Sequence, residues 1–273
     1  MTVASIAGGG DFRVGDVMSR AWRLCTGNIL FFLAVPFVIY IITFVGALVF
    51  GLAFVLAGWG TGSVGIMGVG IFLAVVLVLC LNLIGQGVLL LGAFQRLRGQ
   101  PLRVADALQR VLGRLVPLIG LGVLWSLALA ITAFVCFAVL SGIAAVVGGW
   151  AMVLSPLFLV PSAILLVMWA VVVPACIVEG LGPVASMSRS ADLSSGYRWK
   201  IFGILVLLGL LILAGNAVQL ILTFVSQALG TVVGLVWTVF WTAYFNCALI
   251  MVYHDLRVAK EGVDTEQIAS VFD

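Results

Sequence analysis

The chain has 273 residues, of which 64% are hydrophobic and only 8% are charged. Soluble proteins average about 25% charged residues, so this composition excludes a soluble globular domain and is typical of an integral membrane protein. The net charge of +3 is small and the arginines adjoin apolar runs rather than aromatic-flanked basic clusters, which argues against a nucleic-acid partner.

Three amphipathic segments recur along the chain, and each precedes a long apolar run. Arg20 in the first recurs 169 residues later as Arg189, within the same Met-Ser-Arg triplet, and the second holds Asp106 and Arg110 at the spacing of Asp16 and Arg20. The sequence therefore indicates three repeats. We expect a flexible N-terminus, a transmembrane domain of three repeats and a cytosolic tail, at 1–12, 13–257 (repeats about 13–98, 101–179 and 183–257) and 258–273.

Each amphipathic segment is predicted to be a short helix lying in the membrane interface. Its apolar residues recur at helical spacing, with arginines such as Arg20 on another face. Such a helix sinks its apolar stripe toward the acyl chains while its arginines reach lipid phosphates. Two interpretations of the arginines stay open, namely general anchors that settle topology and specific lipid recognition.

Three segments, at 24–95, 115–178 and 201–254, contain no charged residue. A helical crossing needs about 20 apolar residues, so each segment is long enough for two crossings and a turn. The sequence predicts an all-α integral membrane protein with six transmembrane helices arranged as three hairpins, each preceded by an amphipathic interfacial helix. The predicted spans one to six are 29–56, 66–95, 116–140, 153–177, 201–225 and 230–253.

All 13 lysines and arginines lie outside the charge-free segments, at positions that an even number of crossings puts on one face. The positive-inside rule makes that face cytoplasmic. We therefore expect a multi-pass protein with both termini in the cytoplasm.

Polar side chains within the spans fall on three helical faces. They are Asn82 and Gln86 in span two, Asn216, Gln219 and Thr223 in span five, and Thr238, Thr242 and Asn246 in span six. These residues should face protein or water, since an unpaired amide in hydrocarbon is costly. Two interpretations stay open: interhelical hydrogen bonds, and a polar cavity lined by spans two, five and six.

Small residues and prolines add two expectations about packing. Gly230 and Gly234 form a small-xxx-small pair, which is typical of close helix contacts and favours a homo-oligomer. Prolines in or near the spans predict kinks, most of all in span four, which holds Pro156, Pro161 and Pro174.

The sequence shows no set of residues that supports catalysis. His254 is the single histidine, so no multi-histidine metal site and no paired-histidine acid–base site can form. The phosphate-binding loop, the nucleophile elbow and the metalloprotease His-Glu-x-x-His motif are also absent. We predict that the chain is not an enzyme and binds neither a metal nor a cofactor.

Residues in the last third of the chain carry a family resemblance. They are Val173-Pro174, Glu179-Gly180, Gly182-Pro183, Arg189-Ser190, Leu193, Gly196 and Trp199, with the closing Tyr253, Asp255-Leu256-Arg257 and Lys260-Glu261-Gly262. This pattern resembles the membrane domain attached to some bacterial glycerophosphodiester phosphodiesterases, and the stand-alone six-helix proteins that share it. The chain departs from that pattern at Ala191, where the family has an aromatic residue.

The resemblance implies a protein of the bacterial cytoplasmic membrane with a link to phospholipid metabolism. It implies no catalysis, because the phosphodiesterase activity of that family belongs to a separate soluble domain. Our first hypothesis is a non-catalytic membrane protein that organises or senses phospholipid, or anchors a membrane or cytosolic protein partner, through its cytoplasmic amphipathic segments. The alternative is a transporter or lipid-translocating channel that uses the polar faces of spans two, five and six.

Glu179 directly follows an apolar run, at the predicted edge of the hydrocarbon. A carboxylate there is costly alone, so we expect it to pair with Arg189, or with the repeat equivalents Arg20 or Arg110. The alternative is a solvated glutamate among the headgroups. Asp255 and Arg257, at the exit of span six, are further candidates for structural or lipid contacts at the same face.

Overall fold

The computed structural model describes residues 13–148 and 159–261, and across these ranges the chain is helical with no strand. The predicted flexible N-terminus, residues 262–273 of the predicted tail and the start of span four lie outside the described residues. The helices are α1 (Val14–Gly27), α2 (Ile29–Thr61), α3 (Val64–Leu97), α4 (Val104–Leu112), α5 (Leu115–Val147), α6 (Leu159–Met168), α7 (Val172–Val178), α8 (Pro183–Ser194), α9 (Arg198–Val225) and α10 (Gln227–Glu261).

Six helical segments of the described chain are long and apolar enough to cross a membrane, as predicted. They are α2, α3, most of α5, α6 together with α7, α9 and α10. Five of them are longer than predicted, with 28 to 35 residues. At 1.5 Å per residue such helices exceed the hydrocarbon thickness of about 30 Å, so they must tilt or extend beyond the membrane. The protein is an all-α, multi-pass membrane protein.

The core lies where the ends of α3, α7 and α10 meet. Residues 87–95 of α3 and 250–256 of α10 are all buried, as is most of α7. Towards the middle of the spans the same helices expose large apolar side chains, among them Phe72 on α3 and Val236 on α10. Such surfaces are suited to lipid rather than water. The protein is therefore packed tightly at one end and is open to lipid along the rest of its length.

The three amphipathic helices surround this core. Helix α4 packs on α3, and α8 packs on α7, so each lies against the helix that precedes it in the chain. Helix α1, the first of the described helices, packs instead on α10, the last of them. Each of the three core helices thus carries one amphipathic helix. Charged side chains gather here, and we call this region the charged end.

Positions that correspond in the three sequence repeats are also buried to the same extent. Val17 and Ala21, one turn apart on α1, are fully buried against the core. The positions 90 and 169 residues later are also buried, with at most 1% exposure. They are Ala107 and Val111 in α4, and Ser186 and Ser190 in α8. The same inward face is thus used in all three amphipathic helices, although the third fills it with serines.

Span four is broken between α6 and α7, as its prolines predict. Pro174 has no N–H to donate to the carbonyl of Ala170, and its ring crowds that carbonyl. The chain tightens just ahead of it, where the Val172 N–H donates to the Trp169 carbonyl at 3.2 Å. The carbonyl of Met168, which an unbroken helix would bond to Val172, is released.

The hydroxyls of Ser190 and Ser194 bind this released carbonyl. They donate to the Met168 oxygen at 3.0 Å and 3.3 Å. Both serines are completely buried, where a free carbonyl would be costly. The break in span four therefore provides the acceptor that positions α8.

The predicted small-xxx-small pair serves contacts within one chain. A side chain added at Gly230 would overlap Thr223, and one added at Gly234 would overlap Gln219. Both glycines are buried where α10 packs on α9. They are not on a free surface, so they give no support to a homo-oligomer.

Replacing both serines tests how α8 is held. We expect Ser190→Ala combined with Ser194→Ala to lower the free energy of unfolding by about 1–3 kcal/mol, because the Met168 carbonyl, which faces two buried serines, loses both donors. The measurement is a reversible SDS titration in mixed micelles. Ser126→Ala is the control, since Ser126 is exposed and bonds only to its own helix; an equal loss in the control would contradict this role.

Candidate functional site

The first ion pair of the charged end joins α1 to α10. The Arg20 guanidinium donates through Nη1 to Oδ1 of Asp255 at 3.0 Å and through Nη2 to Oδ2. Each side chain is only 9% exposed. The two-pronged geometry is the strongest that arginine and a carboxylate form. His254 lies beside it, with Nδ1 3.4 Å from Asp255 Oδ1.

Helix α1 lies across α10, with its polar and aromatic residues pointing to opposite sides. Arg20 reaches Asp255, near the charged end of α10, whereas the Trp22 ring packs edge-on against Phe240 and Tyr244, well within the span. The Tyr244 hydroxyl also donates to the Met18 carbonyl at 3.3 Å. An arginine toward the charged end and a tryptophan toward the middle of the span is the arrangement found at membrane interfaces.

The second ion pair joins α8 to the end of α7 and confirms the predicted partner of Glu179. Nε of Arg189 donates to both carboxylate oxygens of Glu179, at 3.1 Å and 2.9 Å. The Tyr253 hydroxyl of α10 donates to the same carboxylate at 2.7 Å. Glu179 is thus a half-buried acceptor between three helices rather than a solvated surface charge.

Glu261 extends this cluster along α10. Arg189 donates through Nη2 to Glu261, and Nε of Arg257 donates to the other Glu261 oxygen at 2.9 Å. Burial alone would lower the pKa of Arg189, but its hydrogen bonds to the two glutamates raise it above its ordinary value. Arg189 is therefore permanently charged and holds two carboxylates together.

The third contact, between α4 and α3, contains no such pair. Arg110, the repeat equivalent of Arg20 and Arg189, is exposed and makes no ion pair within the described chain. Arg98 lies over the Phe94 ring at 4.3 Å. Burial, followed by the charges of Arg257 and Arg110, lowers the pKa of Arg98. Arg98 therefore lies near other arginines and has no carboxylate partner among the described residues.

The polar residues of spans two and six lie around one cavity of about 200 Å³. Asn82 and Gln86 of α3 face Thr242 and Asn246 of α10 across it, and Tyr40 of α2 completes the polar wall. The Tyr40 hydroxyl lies 2.7 Å from Thr242 Oγ1 and joins α2 to α10.

The two asparagines at this cavity bond along their own helices rather than across it. Asn82 and Asn246 donate to the carbonyls four residues earlier, each at 2.8 Å. An amide used in this way satisfies its own donor without joining two spans. The predicted interhelical contact is therefore made by the hydroxyls of Tyr40 and Thr242.

The predicted role of span five in the cavity is wrong. Helix α9 contributes no residue to this wall, and α2 takes its place. Gln219 packs on Gly234, and Asn216 is exposed on α9, contrary to the expectation that it faces protein. Thr238 is also exposed and donates to the Gly234 carbonyl in its own helix at 2.8 Å. Spacing indicates which residues share a face but not which neighbouring helix covers it.

Metal chemistry finds no support in the described residues. No three His, Cys, Asp or Glu side chains of 13–148 and 159–261 are grouped so that they could hold an ion. Asp255, Glu179 and Glu261 are bound by arginines.

Comparisons with family models, curated proteins and solved structures gave no match. The function must therefore be argued from the charged end and the polar cavity themselves.

Reversing the charge of Glu179 tests the second ion pair. We expect Glu179→Arg to lower the free energy of unfolding by about 1–3 kcal/mol, because Arg189 and Tyr253 lose a shared acceptor. Adding Arg189→Glu should restore part of the loss, because the reversed charges at 179 and 189 attract again; the recovery stays partial, since the new acid would lie beside Glu261. The measurement is again unfolding in mixed micelles.

The control for this experiment is Asp106→Arg. Asp106 pairs with Arg103 at 3.8 Å, and the two side chains are 49% and 70% exposed. Exposed pairs contribute about 0–1 kcal/mol, so the control should change stability little. An unchanged stability in Glu179→Arg would show that this pair does not hold α8.

Proposed function

We propose that the chain is a non-catalytic membrane protein that organises phospholipid at the cytoplasmic face of the bacterial cytoplasmic membrane. In this proposal six spans form three hairpins, both termini are cytoplasmic, and α1, α4 and α8 lie in the interface. The carrying observation is the charged end, where three amphipathic helices are packed around the core and exposed arginines remain on α1 and α4 and at the start of α9.

The exposed cations of this surface suit anionic lipid. Arg23, Arg103, Arg110 and Arg198 are all exposed. An arginine near an anionic membrane surface contributes about 1 kcal/mol of attraction. Trp22 and Trp199, which are 50% and 85% exposed, directly adjoin Arg23 and Arg198 in the sequence. Tryptophan side chains favour the depth of the lipid headgroups.

The state of the carboxylates supports a non-catalytic role. A general base needs a free lone pair directed at a substrate. Asp255, Glu179 and Glu261 instead accept hydrogen bonds from Arg20, Arg189 and Arg257. The acids at the core of this surface are therefore used to hold helices together.

Lipid copurification tests the proposal. We expect anionic phospholipid to be enriched in protein purified in mild detergent, compared with the membrane from which it was extracted. The enrichment should fall in 1 M salt, where the Debye length is about 3 Å, and in the variant Arg23→Gln with Arg198→Gln. A lipid composition equal to that of the membrane would contradict the proposal.

A second candidate, a transporter or lipid-translocating channel, is favoured by one observation, the polar cavity. Its volume of about 200 Å³ is below the range of about 300–1,000 Å³ typical of small-molecule sites. Beyond the cavity, residues 250–256 of α10 are buried in the core. The cavity therefore ranks second to the charged end as a basis for function.

A flux assay separates the two candidates. The proposal expects proteoliposomes to admit a radiolabelled polyol no faster than protein-free liposomes. A flux that is abolished by Gln86→Leu with Asn246→Leu, but kept by Asn216→Leu, would contradict it. Asn216 is a matched control because it is an amide in a span but lies outside the cavity wall.

A further inference from the structure

We propose that the contact between α3 and α4 binds a phosphate group in the place where the two equivalent contacts carry a carboxylate. The ligand chemistry is a phosphate ester, either the headgroup of an anionic phospholipid or a soluble phosphate ester. The lipid form of this inference rests on the proposed function and names the site at which lipid is held.

The repeat identifies the missing acid. Arg20 of α1 pairs with Asp255, and Arg189 of α8 pairs with Glu179. In α4 the corresponding arginine is Arg110. The exit of α3 reads Phe-Gln-Arg-Leu-Arg where that of α10 reads Tyr-His-Asp-Leu-Arg, so Arg96 takes the position of Asp255. The third contact thus has arginine on both sides.

The packing beneath these side chains follows the other repeats. Val111 of α4 is fully buried, as is its equivalent Ala21 in α1. A side chain added at Gly87 of α3 would meet Val111 at 2.8 Å, so the two helices are already in close contact there. The buried face of α4 therefore follows that of α1, while the charges around it differ.

The positive charge of this contact is left without a counter-ion in the described chain. Nε of Arg96 is buried and has no hydrogen-bond partner. Nearby Arg98 experiences the charges of Arg257 and Arg110. Arg96 is half-buried, and a guanidinium at a membrane edge without an anion is unfavourable.

Among the described residues no carboxylate pairs with Arg96 or Arg110, and three carboxylates pair elsewhere. Asp106 pairs with Arg103 on the exposed face of α4. Glu261 is shared by Arg189 and Arg257, and Glu179 is bound by Arg189 and Tyr253. An external anion is therefore needed to complete the third contact.

Phosphate is the anion that suits this position. The planar guanidinium donates two parallel hydrogen bonds to a phosphate, and converging arginines are the usual way to bind one. Arg96 lies one residue before the end of α3, which is also the end of its candidate span. A group at that depth lies among phospholipid headgroups.

The experiment is thermal unfolding of the full chain in a neutral detergent with three added probes. They are dihexanoyl phosphatidylglycerol, dihexanoylglycerol and glycerol 3-phosphate. We expect the phosphatidylglycerol to stabilise the protein saturably, and the phosphate-free diacylglycerol not to. Equal stabilisation by glycerol 3-phosphate would identify a soluble phosphate ester as the ligand, and its failure would identify the lipid headgroup. An equal rise in unfolding temperature with the diacylglycerol and with the phosphatidylglycerol would overturn the proposal.

Variants locate the site. Arg96→Gln and Arg110→Gln should each weaken the apparent affinity about tenfold, as expected for one lost charge-assisted contact. Lys260→Gln removes one positive charge from an exposed position on α10 and should leave the affinity unchanged. If Arg96→Gln does not fold, Arg110→Gln gives the same readout from an exposed residue. Unchanged affinity in Arg110→Gln would overturn the assignment.

A charge-matching variant gives the sharpest result. Arg96→Asp copies Asp255 and supplies Arg110 with an internal partner. We expect it to raise the unfolding temperature without ligand and to abolish the response to phosphatidylglycerol. A wild-type response in this variant would overturn the proposal.

The outcomes also separate this inference from the proposed function. Salt-sensitive lipid enrichment without a phosphate-dependent rise in unfolding temperature would contradict the phosphate site and leave the proposed function standing. Polyol flux through the polar cavity together with such a rise would contradict the proposed function and leave the phosphate site standing.

Discussion

Close approach of three helix ends is the constraint on which the rest of this structure depends. Spans gain no hydrophobic free energy by leaving lipid for one another, so they associate through small side chains and satisfied polar groups. Here Gly87, Ala175, Cys247 and Ala248 are buried where α3, α7 and α10 meet. Only because these helices approach one another do α1, α4 and α8 find grooves, and only then do Arg20 and Arg189 reach their carboxylates.

The break in span four shows how a local defect is used by the whole assembly. The tight turn ahead of Pro174 frees the Met168 carbonyl, which would be unfavourable in a membrane, and the serines of α8 bind it. With α8 fixed in this way, Arg189 lies beside Glu179 and Glu261. A turn within span four thereby helps to position an ion-pair cluster on another helix.

The sequence predicted the parts of this structure that depend on local spacing. The six spans follow from the charge-free runs, and Glu179 with Arg189 follows because only ten residues and a tight turn separate them. Arg20 and Asp255 are 235 residues apart, so spacing could not join them. The matching exits of α3 and α10 held a usable signal, because they place Asp255 where a partner for a repeat arginine belongs. The cavity was predicted only in part, since Tyr40 is a single polar residue on α2 and forms no recognisable pattern.

The contact of α1 with α10 has a consequence for biosynthesis. Helix α1 leaves the ribosome first, yet the helix it packs against is made last, 235 residues later by the separation of Arg20 and Asp255. At about 5–20 residues per second, translation takes about 10–50 s to supply that partner. Until then the part of α1 that packs on α10 has no protein partner there and can be covered by lipid. The two ends of the transmembrane domain are therefore joined only after α10 has been translated.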